Sequence, residues 1–234
     1  MMVKKIGIIG AMDEEVDILK HHMDIDEIRL MAGLEFSLGK IGKKEIVLVR
    51  CGIGKVNAAM CTQMLISVFG AEAVINTGVA GALHDELDVL DVVVSTDALE
   101  HDFDATGFGY KPGEIPRMET SIFEADATLA DAAYRAGLEN ASGHKVMMGR
   151  VVTGDVFVSS KELKDRLVDL FSGVCTEMEG ASVAHVCNLN KIPFVIIRAM
   201  SDKADGSAHI NYSEFVEAAA ENSKDMVLSM LKSI

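Results

Sequence analysis

The feature that most constrains this chain is an alternation of short Val/Ile-rich runs with longer segments of helical periodicity. The runs are KKIGIIG, EIVLVRC, AVINTG, DVVVST, KVMMGRVVTG, GVCTEM and PFVIIRAMS, and several are apolar at consecutive positions. A strand apolar on both faces must be covered on both, as in a mainly parallel sheet flanked by helices. Helical patterns fall between them at Asp13 to His22, Lys55 to Phe69, Ala125 to Gly137, Ser160 to Phe171, Glu179 to Leu189 and Ser213 to Lys232, the last with Ser213 as its N-cap. MAGLEFSLGKIGKKEIVLVRC reads as two strands joined around Lys40 to Lys43, so part of the sheet is antiparallel. The pattern predicts an α/β fold, a mixed central β-sheet surrounded by helices, in one domain spanning 1-234.

Charge and cysteine usage narrow the function classes. A net charge of −14 without a basic run excludes a nucleic-acid backbone as partner, because that affinity comes from clustered Lys and Arg. No apolar run reaches the ~18 residues of a membrane span, and IGIIGAM is too short for a signal peptide, so a cytoplasmic chain is expected. Cys51, Cys61, Cys175 and Cys187 are widely spaced within apolar stretches and read as buried free thiols.

In sheets of this kind ligands bind beyond the carboxyl ends of the strands. Those ends carry GAMDEE, CGIGK, NTGVAGA, TGDVFVSS, EMEG and RAMSD. CGIGK and TGVAG lack the spacing of a phosphate-cradling loop, so their glycines read as tight strand-to-helix turns. In GAMDEE the helix dipole accounts for Asp13 and Glu14; three carboxylates repel phosphate and suit activation of a neutral water, which makes Glu15 a candidate base. Arg198 lies in a strand so apolar that it is expected to be buried and paired, and Asp202 reads either as an N-cap or as a site acid. Glu177 and Glu179 flank Met178 where the apolar run meets small residues; alone they read equally as helix-start charge or as site acids. Arg198, Asp202, Glu15 and Glu179 fall at strand ends on one edge of one sheet, and a shared site is the economical reading.

Other features stay bland. The seven histidines lack metal-ligand spacing, so no metal and no cofactor is expected; His101 with Asp102 and Asp104 reads as a solvated loop. Glu100 to Glu119 is rich in Gly and Pro without periodicity, a long loop of the functional or interface kind.

KIGIIGAMDEEV, CGIGKVNAA, INTGVAGAL, TGDVFV, TEMEGASVAHVC, PFVIIRAMSDKAD and SEFVEAAAENS, in this order over nearly the whole chain, resemble the bacterial 5′-methylthioadenosine/S-adenosylhomocysteine nucleosidases of the purine nucleoside phosphorylase superfamily. The resemblance implies hydrolysis of the bond between adenine N9 and ribose C1′, releasing adenine and a thioribose, in methionine salvage and S-adenosylhomocysteine breakdown. By the same resemblance Glu15 activates water with help from Arg198, Asp202 held by Ser201 protonates adenine N7, and Glu179 accepts hydrogen bonds from the ribose hydroxyls. Glu177 is either helix-start charge or a support of that site. Phe157 would stack on adenine and the Val158 backbone would read its edge, while Met12, Ile53, Met178 and Tyr212 would surround the alkylthio group. A homodimer is implied, with Ala105, Phe108 and Pro116 of the Glu100 to Glu119 loop completing the partner's site. Two positions depart from the family pattern: Val79 stands where relatives often carry serine, and Tyr212 where Phe is common.

Two other readings remain open from sequence. A phosphorolytic enzyme of the same superfamily would need phosphate, against which the acidic GAMDEE turn speaks. A nucleoside-binding sensor would bind without turnover, against which the intact acids speak.

Overall fold

The computed structural model describes residues 3–140 and 143–234. In chain order its elements are β1 (Lys5–Gly10), α1 (Asp13–His21), β2 (Asp24–Met31), β3 (Leu34–Ile41), β4 (Lys44–Arg50), α2 (Lys55–Ser67), β5 (Ala73–Ala82), β6 (Val92–Glu100), β7 (Phe123–Glu124), α3 (Ala127–Asn140), β8 (Val146–Thr153), α4 (Lys161–Phe171), β9 (Cys175–Glu177), α5 (Gly180–Asn190), β10 (Phe194–Asp202) and α6 (Ala208–Ser233).

All strands join one mixed sheet in the order β10-β6-β8-β9-β5-β1-β4-β3-β2, with β7 beside β6. β10 also pairs with β5, so β5, β10, β6, β8 and β9 close into a ring, from which β1, β4, β3 and β2 extend as a limb. β1 runs parallel to β4 and β5, and β5 parallel to β10, while the β2-β3-β4 meander is antiparallel.

The consecutive apolar residues follow from packing on both faces. Ile9, Val47, Val49, Val74 and Ile196 pack with α2 and α5 on one face. Their neighbours Ile8, Ile46, Leu48, Ile75 and Ile197 pack with α1, α3 and α6 on the other. Period-two alternation thus sends each strand into two cores at once. A third cluster around Leu83, Leu99, Val152, Leu167 and Phe171 seats α4. The four cysteines are buried and unpaired, as expected. Among the described residues no helix is long and apolar enough to cross a membrane.

Three expectations are corrected, and one strand is added. β2, left unassigned from sequence, is an edge strand whose side chains are largely in solvent, so no inward-outward alternation marks it. α6 starts at Ala208, ahead of Ser213, whose hydroxyl donates back to the His209 carbonyl at 2.9 Å instead of capping. The turn before it is set by Asp205, whose carboxylate accepts from the Ser207 N–H at 2.8 Å. Gly78 and Gly81 lie within β5, not in a turn. Arg198 likewise sits inside β10, not at its end. Gly52 and Gly54 do occupy the turn before α2, with φ of 83° and 99° that L side chains rarely adopt.

Candidate active site

The ends of β1, β9 and β10, the β4–α2 turn and the stretch after β8 surround a cavity of about 430 Å³. Glu15, Glu177, Glu179 and Asp202 line it, with Arg198 the one Lys or Arg side chain among its lining residues. All five are at most 7% exposed. Three of these carboxyl groups, on Glu15, Glu177 and Glu179, share one guanidinium in a desolvated space, while Asp202 stands apart from it.

Glu15 is held by backbone. Its Oε2 accepts the N–H groups of Ala11 (2.6 Å) and Met12 (3.1 Å), and its Oε1 accepts that of Val79 across the cavity floor (3.0 Å). Burial pushes this carboxyl up from its ordinary value, and Arg198 with the Val79, Ala11 and Met12 N–H groups pulls it only partly back. The result is a carboxylate with a strengthened appetite for a proton. Gly78 makes this approach possible: a Cβ there would overlap Glu15 Oε1 and Arg198 Nη1.

Arg198 belongs first to Glu177, not to Glu15. Its Nη2 donates to Glu177 Oε2 at 2.5 Å and to Asn76 Oδ1 at 2.6 Å, and its Nη1 to the Val79 carbonyl at 3.2 Å. Glu15 Oε1 is 3.9 Å away and Glu179 Oε2 3.5 Å. The Glu177 carboxylate is otherwise taken up by structure: Oε2 accepts the Glu179 and Gly180 N–H groups at the start of α5, and Oε1 accepts the Thr153 hydroxyl. Glu177 is thus both the helix-start charge and the support of the guanidinium.

Glu179 points the other way. Its Oε1 accepts the Gly54 N–H at 2.8 Å, and Oε2 has no closer cation than Arg198. Burial lifts it to about 7, with Arg198 and the Gly54 N–H pulling down and Glu177 and Glu15 pushing up. Asp202 Oδ2 accepts the Ser201 hydroxyl at 2.9 Å and Oδ1 the Ala204 N–H at 2.7 Å. Burial raises Asp202 as well, against both of those donors. It closes a turn to Ala204 after β10 instead of capping a helix, since α6 begins only at Ala208. A Cβ at Gly81 would come within 2.9 Å of Asp202 Oδ1. Glu15 and Asp202 thus abut points three residues apart on β5, on the order of 10 Å at strand spacing.

The apolar half of the cavity is formed by Met12, Ile53, Val79, Phe157, Val158, Met178 and Tyr212. The Tyr212 hydroxyl donates to Met12 Sδ at 3.0 Å, and its ring meets Phe157 edge-on at 5.8 Å. Ala105, Phe108 and Pro116 do not line their own chain's cavity; Ala105 is buried and Phe108 is 88% exposed. Sequence reasoning missed Ala11, Ala80, Gly81, Val156, Thr176 and His209 as lining residues. His209 sits one turn before Tyr212 on α6, 4.8 Å from the Phe157 ring, so its signal was hidden by placing the helix start at Ser213. Asp102 and Asp104 serve Lys55 and Thr106, and among the described residues no cluster of three or more His, Cys, Asp or Glu is arranged for a metal.

Comparison with known proteins agrees with this architecture. Residues 5–232 match the family model described as "Phosphorylase superfamily". The 5′-methylthioadenosine/S-adenosylhomocysteine nucleosidase of Halalkalibacterium halodurans is 44% identical over 97% of both chains. The crystal structure of the nucleosidase of that name from Neisseria meningitidis, in complex with methylthio-immucillin-A, superposes with a TM-score of 0.95 at 41% identity, covering 99% of this chain and 100% of that one. A futalosine hydrolase from Helicobacter pylori superposes at 0.94 with 35% identity, covering 100% of this chain and 99% of that one. On sequence, fold and near-complete coverage, the chain belongs to the 5′-methylthioadenosine/S-adenosylhomocysteine nucleosidase family of the phosphorylase superfamily.

Proposed function

We propose that the chain, as one nucleosidase domain over 1-234, hydrolyses the N-glycosidic bond of 5′-methylthioadenosine and S-adenosylhomocysteine, releasing adenine and the thioribose. Cleavage builds positive charge on the ribose and negative charge on the purine, so the reaction needs an anion near the sugar, a proton for adenine and a base for water. Asp202, whose hold on a proton is strengthened by burial, is the acid that gives N7 its proton. Glu15, whose proton affinity is strengthened by burial, takes a proton from the attacking water. Glu179 keeps Oε2 for the ribose hydroxyls and the cationic transition state. Arg198, held by Glu177, Asn76 and the Val79 carbonyl, sets the electrostatic background of Glu15 and Glu179. Phe157 stacks on adenine beside the backbone of Val158, and Met12, Ile53, Met178 and Tyr212 take the alkylthio group.

The observation that favours water over phosphate is the commitment of Arg198. It is the one Lys or Arg lining the cavity and is bound to Glu177 at 2.5 Å, so a phosphate dianion would meet carboxylates without a free cation. Adenine release from methylthioadenosine with and without phosphate tests this. Equal rates are expected, and cleavage only with phosphate overturns the hydrolytic reading. The same assay with S-adenosylhomocysteine measures the preference between the two substrates.

The assembly in this reading is a homodimer in the cytoplasm. Phe108, an almost fully exposed aromatic on a loop between Gly107 and Gly109, supports an interface there, where the loop would complete the partner's site with Ala105 and Pro116. Four buried free thiols suit a reducing compartment.

A further inference from the structure

Glu179 owes its position to a helix end that does not cap itself. α2 begins at Lys55 after Gly54 and has no side-chain cap of its own. Its first N–H groups are satisfied from other parts of the chain by two carboxylates: Gly54 N–H donates to Glu179 Oε1 at 2.8 Å and Lys55 N–H to Asp155 Oδ1 at 2.8 Å. Uncapped N–H groups at a helix start carry the positive end of its dipole, so both acids lie where an anion is favoured.

Asp155 is itself anchored. Its own N–H donates to Asp102 Oδ2 at 2.9 Å, and Asp102 Oδ1 accepts Lys55 Nζ at 2.6 Å. The same ammonium reaches Glu100 Oε2 at 3.2 Å, and Glu100 Oε1 bonds His185 Nδ1 on α5 at 3.0 Å. The clip therefore ties the turn before α2 to the stretch carrying Phe157 and to the end of β6. The fit is close: a Cβ on Gly54 would stand 3.0 Å from Asp155 Oδ1.

We propose that Asp155 is a positioning residue for the reaction, holding the Ile53 to Lys55 turn so that the Gly54 N–H stays on Glu179 Oε1 and leaves Oε2 free for the sugar. This rests on the hydrolytic reading above for its rate consequence, but not for its structural one. With Asp155 truncated, the turn loses its second carboxylate and the Gly54 donor drifts from Glu179. The groups facing the Glu179 carboxyl are then Arg198 from β10, Glu177 from β9, Glu15 from α1, the Cys51 thiol after β4 and the Tyr212 hydroxyl from α6. Burial and the neighbouring acids gain on Arg198, so Glu179 holds its proton to higher pH.

The test compares the parent with Asp155→Ala and Asp155→Asn, the latter keeping a carbonyl oxygen for the Lys55 N–H. Two readouts are taken: the pH profile of kcat/KM for adenine release, and the titration of carboxyl-labelled glutamate by carbon NMR, with the Glu179 signal assigned by its loss in Glu179→Gln. Asp155→Ala is expected to lower kcat/KM about tenfold at pH 6 and less at pH 8, by the worth of one hydrogen bond to a charged group. The Glu179 titration should move to higher pH, and Asp155→Asn should bring both readouts back toward the parent. An unmoved Glu179 titration in Asp155→Ala overturns the proposal, as does an Asn variant that behaves like Ala. A parent without nucleosidase activity would overturn the hydrolytic reading alone, since the NMR titration still decides the role of Asp155.

Discussion

Replacing Glu179 by glutamine should separate what the carboxylate does for the reaction from what its burial does to the fold. Burial lifts this group from an ordinary value near 4.5 to about 7. At ~1.4 kcal/mol per tenfold in proton affinity, ionising it in the folded chain above pH 7 is unfavourable by on the order of 3 kcal/mol relative to the unfolded chain. The sign follows from the raised value: the protonated form favours the fold, that stability is fully present below about 4.5, and it is lost as pH rises through about 7. Glutamine is neutral throughout, can still accept the Gly54 N–H, and leaves Arg198 with Glu177 and Asn76. That value already includes the pull of Arg198, so a gain of ~1–3 kcal/mol at pH 8 is expected, shrinking to ~1 kcal/mol or less at pH 5. For a chain of this size each kcal/mol moves Tm by roughly 2–4 °C. Meanwhile kcat/KM should fall about 10²-fold, as when one preorganised electrostatic contact is removed. Differential scanning calorimetry at pH 5 and pH 8, beside an adenine-release assay, reads both effects. A variant melting at or below the parent at pH 8, or gaining as much at pH 5 as at pH 8, refutes the desolvation argument.

Asp202→Asn should abolish turnover, because an amide cannot give N7 a proton, while adenine still binds by calorimetry; near-parental kcat would remove Asp202 as the acid. Gly78→Ala forces a Cβ into Glu15 Oε1 and Arg198 Nη1, so both stability and kcat should drop, the former by ~1–3 kcal/mol, as chemical denaturation would show. Tyr212→Phe removes one hydroxyl donor to Met12 Sδ and should change kcat/KM for methylthioadenosine by less than about fivefold, in line with a single weak hydrogen bond.

The sheet was legible because its strands are buried on both sides: consecutive apolar residues in PFVIIRAM leave few alternatives to a covered strand, and β10 is buried from Phe194 to Asp202. β2 was illegible for the opposite reason, since its charged, exposed residues are held by pairing with β3 and carry no inward pattern. The set of acids could be gathered from strand ends, but their division of labour could not. Glu177 and Glu179 are two residues apart in similar company, and only the tertiary arrangement shows the first spent on Arg198 and helix N–H groups and the second left with one oxygen that accepts no hydrogen bond and lies 3.5 Å from Arg198. Gly78 and Gly81 looked like turn residues because closeness to another segment's side chain leaves no trace in local sequence. His209 was lost to a misplaced helix start, and Thr176 lay within the strand read from GVCTEM without being singled out as lining.

The closed ring of β5, β10, β6, β8 and β9 divides the machinery into two mounts. Arg198 and Asp202 belong to β10, Glu177 to β9 and Glu179 to the residue that opens α5 beyond it, so these four are registered against one another by the ring. Glu15 alone rides on the limb, on the helix after β1, and its bond to the Val79 N–H is the stitch across the seam. A small slip of limb against ring would leave the purine acid in place while carrying off the water-activating base and the Gly54 donor of the sugar anion together. Substitutions that loosen the outer meander would then reach catalysis at that seam.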